Sequence, residues 1–202
     1  MLCQACGKHP AVTHVKTITN GELAEFSLCA ECARRMGYGN LFAELARSLG
    51  FLGFAPGLEE CEGLLCVDIL RRAGVEVTIA AVGGNQTVTS ARQVHVVADA
   101  LAENVDYAAY DACILPGGIP GVNNLKADAT VRKVCQDFAA AGKLVAAICA
   151  GPTVLADFGV LKGKKATVYP GMDAPLTEAG AEYTGLPLTI DGNIVTGQAL
   201  GA

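Results

Sequence analysis

The chain predicts an α/β fold, a parallel sheet covered on both faces, with a small cysteine-rich hairpin module ahead of it. Three observations carry this. From Leu58 onward, strand and helix patterns alternate, as they do in βαβ units. Val145-Ala146-Ala147-Ile148 is an apolar run without alternation, which suits a strand buried on both faces. Ahead of this part, Cys3-Gln4-Ala5-Cys6 and Cys29-Ala30-Glu31-Cys32 form two C-x-x-C pairs with 22 residues between them.

Composition narrows the function classes. A net charge of −5 argues against a general nucleic-acid or anionic-membrane surface, which calls for a basic patch. No run of eighteen apolar residues occurs, and Met1-Leu2-Cys3-Gln4 lacks the basic-then-apolar order of a secretory signal. The expected location is the cytoplasm. Nine cysteines in a reducing compartment point to metal ligation and catalysis before disulfides.

In the first fifty residues, Ala11–Ile18 and Glu22–Leu28 read as strands, and Asn20-Gly21 is a two-residue hairpin turn. The hairpin returns the second C-x-x-C pair to the first, so Cys3, Cys6, Cys29 and Cys32 are the expected ligands of a structural zinc ion. A redox C-x-x-C normally sits on a βαβ scaffold and fits a hairpin poorly. His9 and His14 are substitute ligands in principle, but four cysteines already complete a tetrahedron. Residues Met1-Leu2-Cys3 through Cys32-Ala33 resemble the N-terminal zinc ribbon of McsA, a modulator of the repressor CtsR and activator of a bacterial protein-arginine kinase. The resemblance covers about the first forty residues and implies a protein-binding module.

The resulting division is a four-cysteine zinc ribbon over 1–36, a linker or helix over 37–53 and the α/β domain over 54–202. Gly37-Tyr38-Gly39-Asn40 is a turn-rich break, and Leu41–Leu49 has apolar positions three and four apart. Gly50–Ala55 is the available first strand, a poor one because it holds two glycines.

In the α/β part, Cys61, Leu65, Ile69 and Ala73 recur every fourth residue of a helix that Gly74 ends, with Leu64 beside them. Val75–Ala81, Gln93–Val97 and Ala112–Leu115 read as strands, the last ending in Pro116-Gly117-Gly118. Val131, Val134, Cys135 and Phe138 mark one helix face leading through Gly142 into Val145–Ile148. There Ala150-Gly151 gives room for a sharp turn and Pro152 suits a first helical turn, so Cys149 stands where strand becomes helix. Both a reactive thiol near helix N–H groups and a buried inert cysteine fit that stretch alone.

Ligands in open parallel sheets bind beyond the carboxyl ends of the strands, where Gly117-Gly118 and Cys149 fall. Gly118 and Ala150 are natural backbone donors to a developing oxyanion, although a Gly pair there is equally an ordinary tight turn. The three histidines, His9, His14 and His95, all precede the cysteine, and His95 reads as mid-strand. The remaining partners are acidic, Glu59, Glu60 and Glu62, which also suit a helix start electrostatically.

Gly57–Glu62, Val67–Gly74, Leu115-Pro116-Gly117-Gly118 and Ala147-Ile148-Cys149-Ala150-Gly151-Pro152 together resemble the ThiJ/PfpI family, in the branch of the Parkinson-associated protein deglycase. The resemblance runs from about residue 54 to the C-terminus. It implies a flavodoxin-like sandwich, a homodimer, no catalytic cofactor and an oxidisable nucleophile at Cys149. By the same resemblance Glu62 is the protonated partner of that sulfur, and Gly118 and Ala150 are the backbone donors. Tyr169-Pro170 stands where some members carry a histidine. The family continues into a final long helix after the motif matching Gly197-Gln198, so the α/β domain is expected to be C-terminally incomplete, with an apolar flank uncovered.

Three functions follow. The first is a glyoxalase- or deglycase-type enzyme in which Cys149 attacks a small reactive carbonyl such as methylglyoxal or its early adducts. The second is an oxidative-stress sensor or chaperone that uses an oxidisable Cys149. The third is a zinc-ribbon interaction protein whose α/β domain is inactive.

Overall fold

A run rich in β-branched residues, Thr13–Thr19, pairs with Glu22–Leu28 to build the hairpin of the first unit, Met1–Ala46, which the chain separates from a second, Arg47–Ala202. The computed structural model describes residues 1–11, 13–19, 22–35 and 49–199. Strands β1 (Thr13–Thr19) and β2 (Glu22–Leu28) pair antiparallel in a register running from Thr13 opposite Leu28 to Thr19 opposite Glu22. Helix α1 (Ala30–Arg35) follows at the second cysteine pair. Cys3, Leu28, Cys29, Cys32 and Ala33 form the buried centre of this unit. The Asn20-Gly21 turn, the break over 37–40 and residues 41–48 of the expected linking helix lie outside the described residues.

The second unit is built on a seven-stranded sheet. Its elements are β3 (Leu49–Phe54), α2 (Glu60–Arg72), β4 (Val77–Ala81), β5 (Thr87–Thr89), β6 (His95–Val97), β7 (Ala100–Leu101), β8 (Ala112–Leu115), α3 (Gly121–Ala127), α4 (Ala129–Ala140), β9 (Leu144–Ile148) and α5 (Pro152–Asp157). These are followed by β10 (Lys165–Ala166), α6 (Ala174–Glu178), β11 (Glu182–Tyr183), β12 (Leu188–Asp191) and β13 (Ile194–Gly197). The sheet order is β12-β13-β9-β8-β3-β4-β7, parallel throughout except for the antiparallel edge strand β12. Among the described residues no helix is long and apolar enough to cross a membrane.

Helix α4 shows how sequence becomes packing. Asp128 caps its start by accepting from the Val131 N–H at 2.9 Å, and Val131, Val134, Cys135 and Phe138 are buried against the sheet. Removing side chains of this kind from water contributes roughly 1.5–3 kcal/mol each. The face read from the sequence is the face that packs.

Three expectations are corrected. The glycine-bearing run over 50–55 supplies an interior strand of the sheet, between β8 and β4, not a marginal one, so the boundary set at residue 54 falls inside β3. Its glycines mark close approaches: a Cβ on Gly50 would meet the Tyr110 ring at 3.1 Å, and Gly53, at φ +116°, sits where the pairing with β4 shifts register. In α2, Leu65 and Ile69 are 45% and 56% exposed, and Glu62, Gly63 and Val67 are the buried positions instead. Gly63 allows this rotation, since a Cβ there would lie 2.9 Å from the Phe54 ring. Finally, His95 is exposed on β6, which pairs with β5 in a separate hairpin, and its ring Nδ1 hydrogen-bonds Thr89 Oγ1 at 3.0 Å. Leu188 and Ile190 on the edge strand are also exposed.

Candidate active site

Strand β9 runs without a polar break to Ile148, and the chain then reverses through Cys149 into α5, where Pro152 takes a first-turn position. Cys149 adopts φ +58°, a left-handed conformation that costs a non-glycine residue roughly 1–3 kcal/mol and persists only where its surroundings hold it. They do hold it here. The Cys149 N–H donates to Gly197 O at 3.0 Å, and its carbonyl accepts from the Tyr169 N–H at 2.9 Å. Gly151 closes the turn onto Ile148 O at 2.8 Å, and a Cβ there would lie 2.8 Å from the carbonyls of Ile148 and Leu115.

Three separate segments meet at the sulfur. Helix α2 delivers Glu62, only 3% exposed, whose Oε2 accepts from the Gly117 N–H at 2.8 Å and whose carboxyl shares a hydrogen bond with the Cys149 side chain. Glu59 caps α2 by accepting from the Glu62 N–H at 2.8 Å. The Gly117-Gly118 turn supplies the Gly118 N–H, and the elbow supplies that of Ala150, both hydrogen-bonded to the Cys149 sulfur. Space for anything larger than glycine is absent: a Cβ on Gly117 would lie 2.7 Å from both Cys149 Cβ and Glu62 Oε2. Cys149, Glu62, Gly118 and Ala150 thus converge on one point, with the two N–H groups aimed at the sulfur.

The electrostatics make Cys149 and Glu62 a pair. Burial raises the Glu62 carboxyl above its ordinary value, opposed by its hydrogen bonds to Cys149 and Gly117. Burial, then the hydrogen bond and charge of Glu62, push the Cys149 thiol up to about 12, against the pull of the Ala150 and Gly118 N–H groups. The two groups therefore hold one proton between them from above the carboxylate range to about pH 12. With that proton on Glu62, the sulfur is a thiolate held by two backbone donors.

Cys149 opens into a cleft of about 270 Å³ lined by Glu59, Arg92, Gly118, Ile119, Tyr169 and Met172, among others. Arg92 and Met172 escaped the sequence reading, because a lone arginine in a hairpin and a methionine after a Pro-Gly turn carry no spacing signal. The other cysteines of this unit are placed differently. Cys113 and Cys135 meet in the core at 3.7 Å, and Cys61 is exposed on α2 outside the cleft.

In the first unit the sulfurs of Cys3, Cys6, Cys29 and Cys32 all lie within 4.8 Å of one another, and Cys6 and Cys29 are 3.8 Å apart. Zinc–sulfur bonds of ~2.3 Å in a tetrahedron give sulfur–sulfur edges of ~3.8 Å. Four thiols this close cannot all ionise without a cation. Burial pushes Cys3 up, but N–H groups of Cys29, Cys6 and Ala5 outweigh it and bring it down to about 6. The Cys29 side chain and burial push Cys32 up to about 12. The four cysteines together could hold a metal ion. His9 is exposed at the rim of this site, and the His14 side chain lies outside the described residues.

Residues 51–202 match the model of the DJ-1/PfpI family. Protein dj-1beta of Drosophila melanogaster is 37% identical over 147 residues, covering 73% of this chain and 79% of that one. The crystal structure of Drosophila melanogaster DJ-1beta superposes with a TM-score of 0.71, over 76% of this chain and 82% of that one. A deglycase of Pyrococcus horikoshii is 36% identical over 145 residues, 70% of this chain and 84% of that one. The family match begins after the four-cysteine unit.

Proposed function

The chain belongs to the DJ-1/PfpI family, and from that premise we propose that it is a cysteine-dependent enzyme acting on small reactive carbonyls, methylglyoxal or its early adducts. The observation that carries the reading is the pairing of Cys149, held at φ +58° on its elbow, with the buried Glu62. A relative named as a deglycase supports it.

Cys149 as thiolate attacks the aldehyde carbon of methylglyoxal. A sulfur–carbon bond forms, the carbonyl π electrons move to oxygen, and Glu62 gives that oxygen its proton. The Gly118 and Ala150 N–H groups hold negative charge on sulfur first, and on the developing oxyanion as the charge moves. Glu62 then carries a proton from the hemithioacetal carbon to the neighbouring carbon while the hemithioacetal hydroxyl proton passes to the ketone oxygen, oxidising the first carbon to a thioester and reducing the ketone to an alcohol. Water cleaves the thioester, releasing lactate and the free thiol. No cofactor is needed, since oxidation and reduction occur within one substrate.

The pH dependence follows from the shared proton. Below the raised pKa of Glu62 both groups are protonated and the thiolate is lost, so kcat/KM falls on the acid side with an inflection above the ordinary carboxylate range. The check is the pH profile of lactate formation by the native protein and by Glu62→Gln. The variant is expected to lose this acid limb and to turn over about 10²-fold more slowly or worse. An acid limb unchanged in Glu62→Gln counts against the assignment.

The exposed Leu65 and Ile69 on α2 suit a homodimer, with the helix faces of two copies covering one another. Sedimentation equilibrium is expected to show a dimer that Ile69→Glu shifts to monomer; a monomeric native protein rejects this. For the first unit, the reading is a structural zinc ribbon of the McsA kind, available for a protein partner. Nine cysteines with no disulfide among them, four of them read as metal ligands, suit a cytoplasmic protein.

A further inference from the structure

We propose that Arg92 makes the cleft selective for reactive carbonyls that also carry an anionic group, a carboxylate or phosphate close to the carbonyl. The proposal rests on the carbonyl reading of Cys149 and adds the substrate class. Arg92 lines the cleft together with Cys149, Gly118 and Ala150, and it is the only cationic side chain among the described residues that does so. It has no ion pair among the described residues, whereas Arg71 and Arg132 are committed to Asp99 and Asp157. Glu59 is the one carboxylate lining the same space, and its Oε2 is already engaged in capping α2.

The turn that presents Arg92 is built for position. Ser90, only 2% exposed, accepts at its hydroxyl from the Val94 N–H at 3.0 Å and the Arg92 N–H at 3.3 Å. Its backbone closes the turn through Ser90 N–H to Val94 O at 2.8 Å and Gln93 N–H to Ser90 O at 3.1 Å, with Gln93 at φ +65°. Two further bonds tie the turn to the loop before α2, Ala91 N–H to Leu58 O and Gly57 N–H to Thr89 O, both 2.8 Å. A left-handed non-glycine residue and a buried serine hydroxyl at a surface hairpin fix the backbone that carries the guanidinium. A guanidinium in the lining of a cleft that also presents Cys149 and two N–H donors gives a two-point site, one point for the carbonyl and one for a planar or tetrahedral anion. In a glyoxalase-type reaction the product is itself a carboxylate, which the same residue would hold.

The test uses two alkylating agents of similar size, so that its outcome does not depend on turnover. Iodoacetate and iodoacetamide each form a sulfur–carbon bond to Cys149 with loss of iodide, but the first is an anion and the second is neutral. Site-resolved mass spectrometry of the full-length protein at low ionic strength gives both rates at Cys149, with exposed Cys61 as reference in the same chain. Relative to Cys61, the iodoacetate-to-iodoacetamide ratio at Cys149 is expected to fall about tenfold in Arg92→Gln and to persist in Arg92→Lys. Added salt should lower it in the native protein alone. An unchanged ratio in Arg92→Gln overturns the proposal. Equal falls in both rates also overturn it, because Arg92 would then only support the cleft. If the ratio responds while methylglyoxal is not consumed, the anion site stands and the carbonyl reading fails.

Discussion

Cys149→Ala is expected to bring lactate formation from methylglyoxal down to the uncatalysed rate, while circular dichroism and thermal unfolding stay close to those of the native protein. The loss is complete because the thiolate is the atom that bonds the substrate, and none of the other cysteines of the α/β unit lines the cleft. Structural loss is small because the elbow is held by backbone bonds to Gly197 and Tyr169 and by the closed Gly151 turn, which alanine leaves in place. Alanine at φ +58° bears the same backbone strain as cysteine. The measurement is enzymatic assay of lactate in a time course with the purified variant. Turnover that survives the substitution would sink the covalent mechanism.

The second large effect is metal loss from the first unit. The purified protein is expected to carry one zinc per chain, released by a mercurial titrant, with loss of amide protection confined to the hairpin and α1. Cys3→Ser with Cys29→Ser should have the same result at once. A segment of this length buries too little apolar surface to fold alone, and structural zinc contributes roughly 10–16 kcal/mol to such modules at neutral pH. Hydrogen exchange read by mass spectrometry localises the change, and alkylation of Cys149 should be unaltered. Full protection of β1 and β2 without metal would show that the cysteines are not a structural site.

Much of this was legible in the chain, for physical reasons that differ from place to place. Helix α4 could be read because its apolar face repeats at the helical period and that face is buried. The cysteine pairs could be read because ligand spacing and hairpin geometry impose the same convergence. Strand β3 was misjudged because its glycines answer to neighbours far along the chain, Tyr110 and Leu115, that no local pattern reveals. Helix α2 was misjudged for the opposite reason. Its period was correct, but the buried position belongs to a carboxyl that pairs with Cys149, so a functional contact overrode the hydrophobic one. Arg92 was invisible because its role depends on a turn fixed by Ser90 and on a cleft assembled from five separate segments.

The strand order also bears on how the protein is made. Strand β3 is the first of this sheet to be synthesised; β4 and β7 then extend one side, β8 and β9 extend the other, and the edge strand β12 precedes its partner β13 in the chain. Of the strands of this sheet, β4, β7, β8 and β9 each meet an edge that is already free as they emerge, whereas β12 waits for β13, which joins it to β9. The elbow is different, because its N–H needs Gly197 at the end of β13. A nascent chain therefore owns most of its sheet well before its thiol is held in place, and an aborted product lacks the Gly197 bond that holds the elbow.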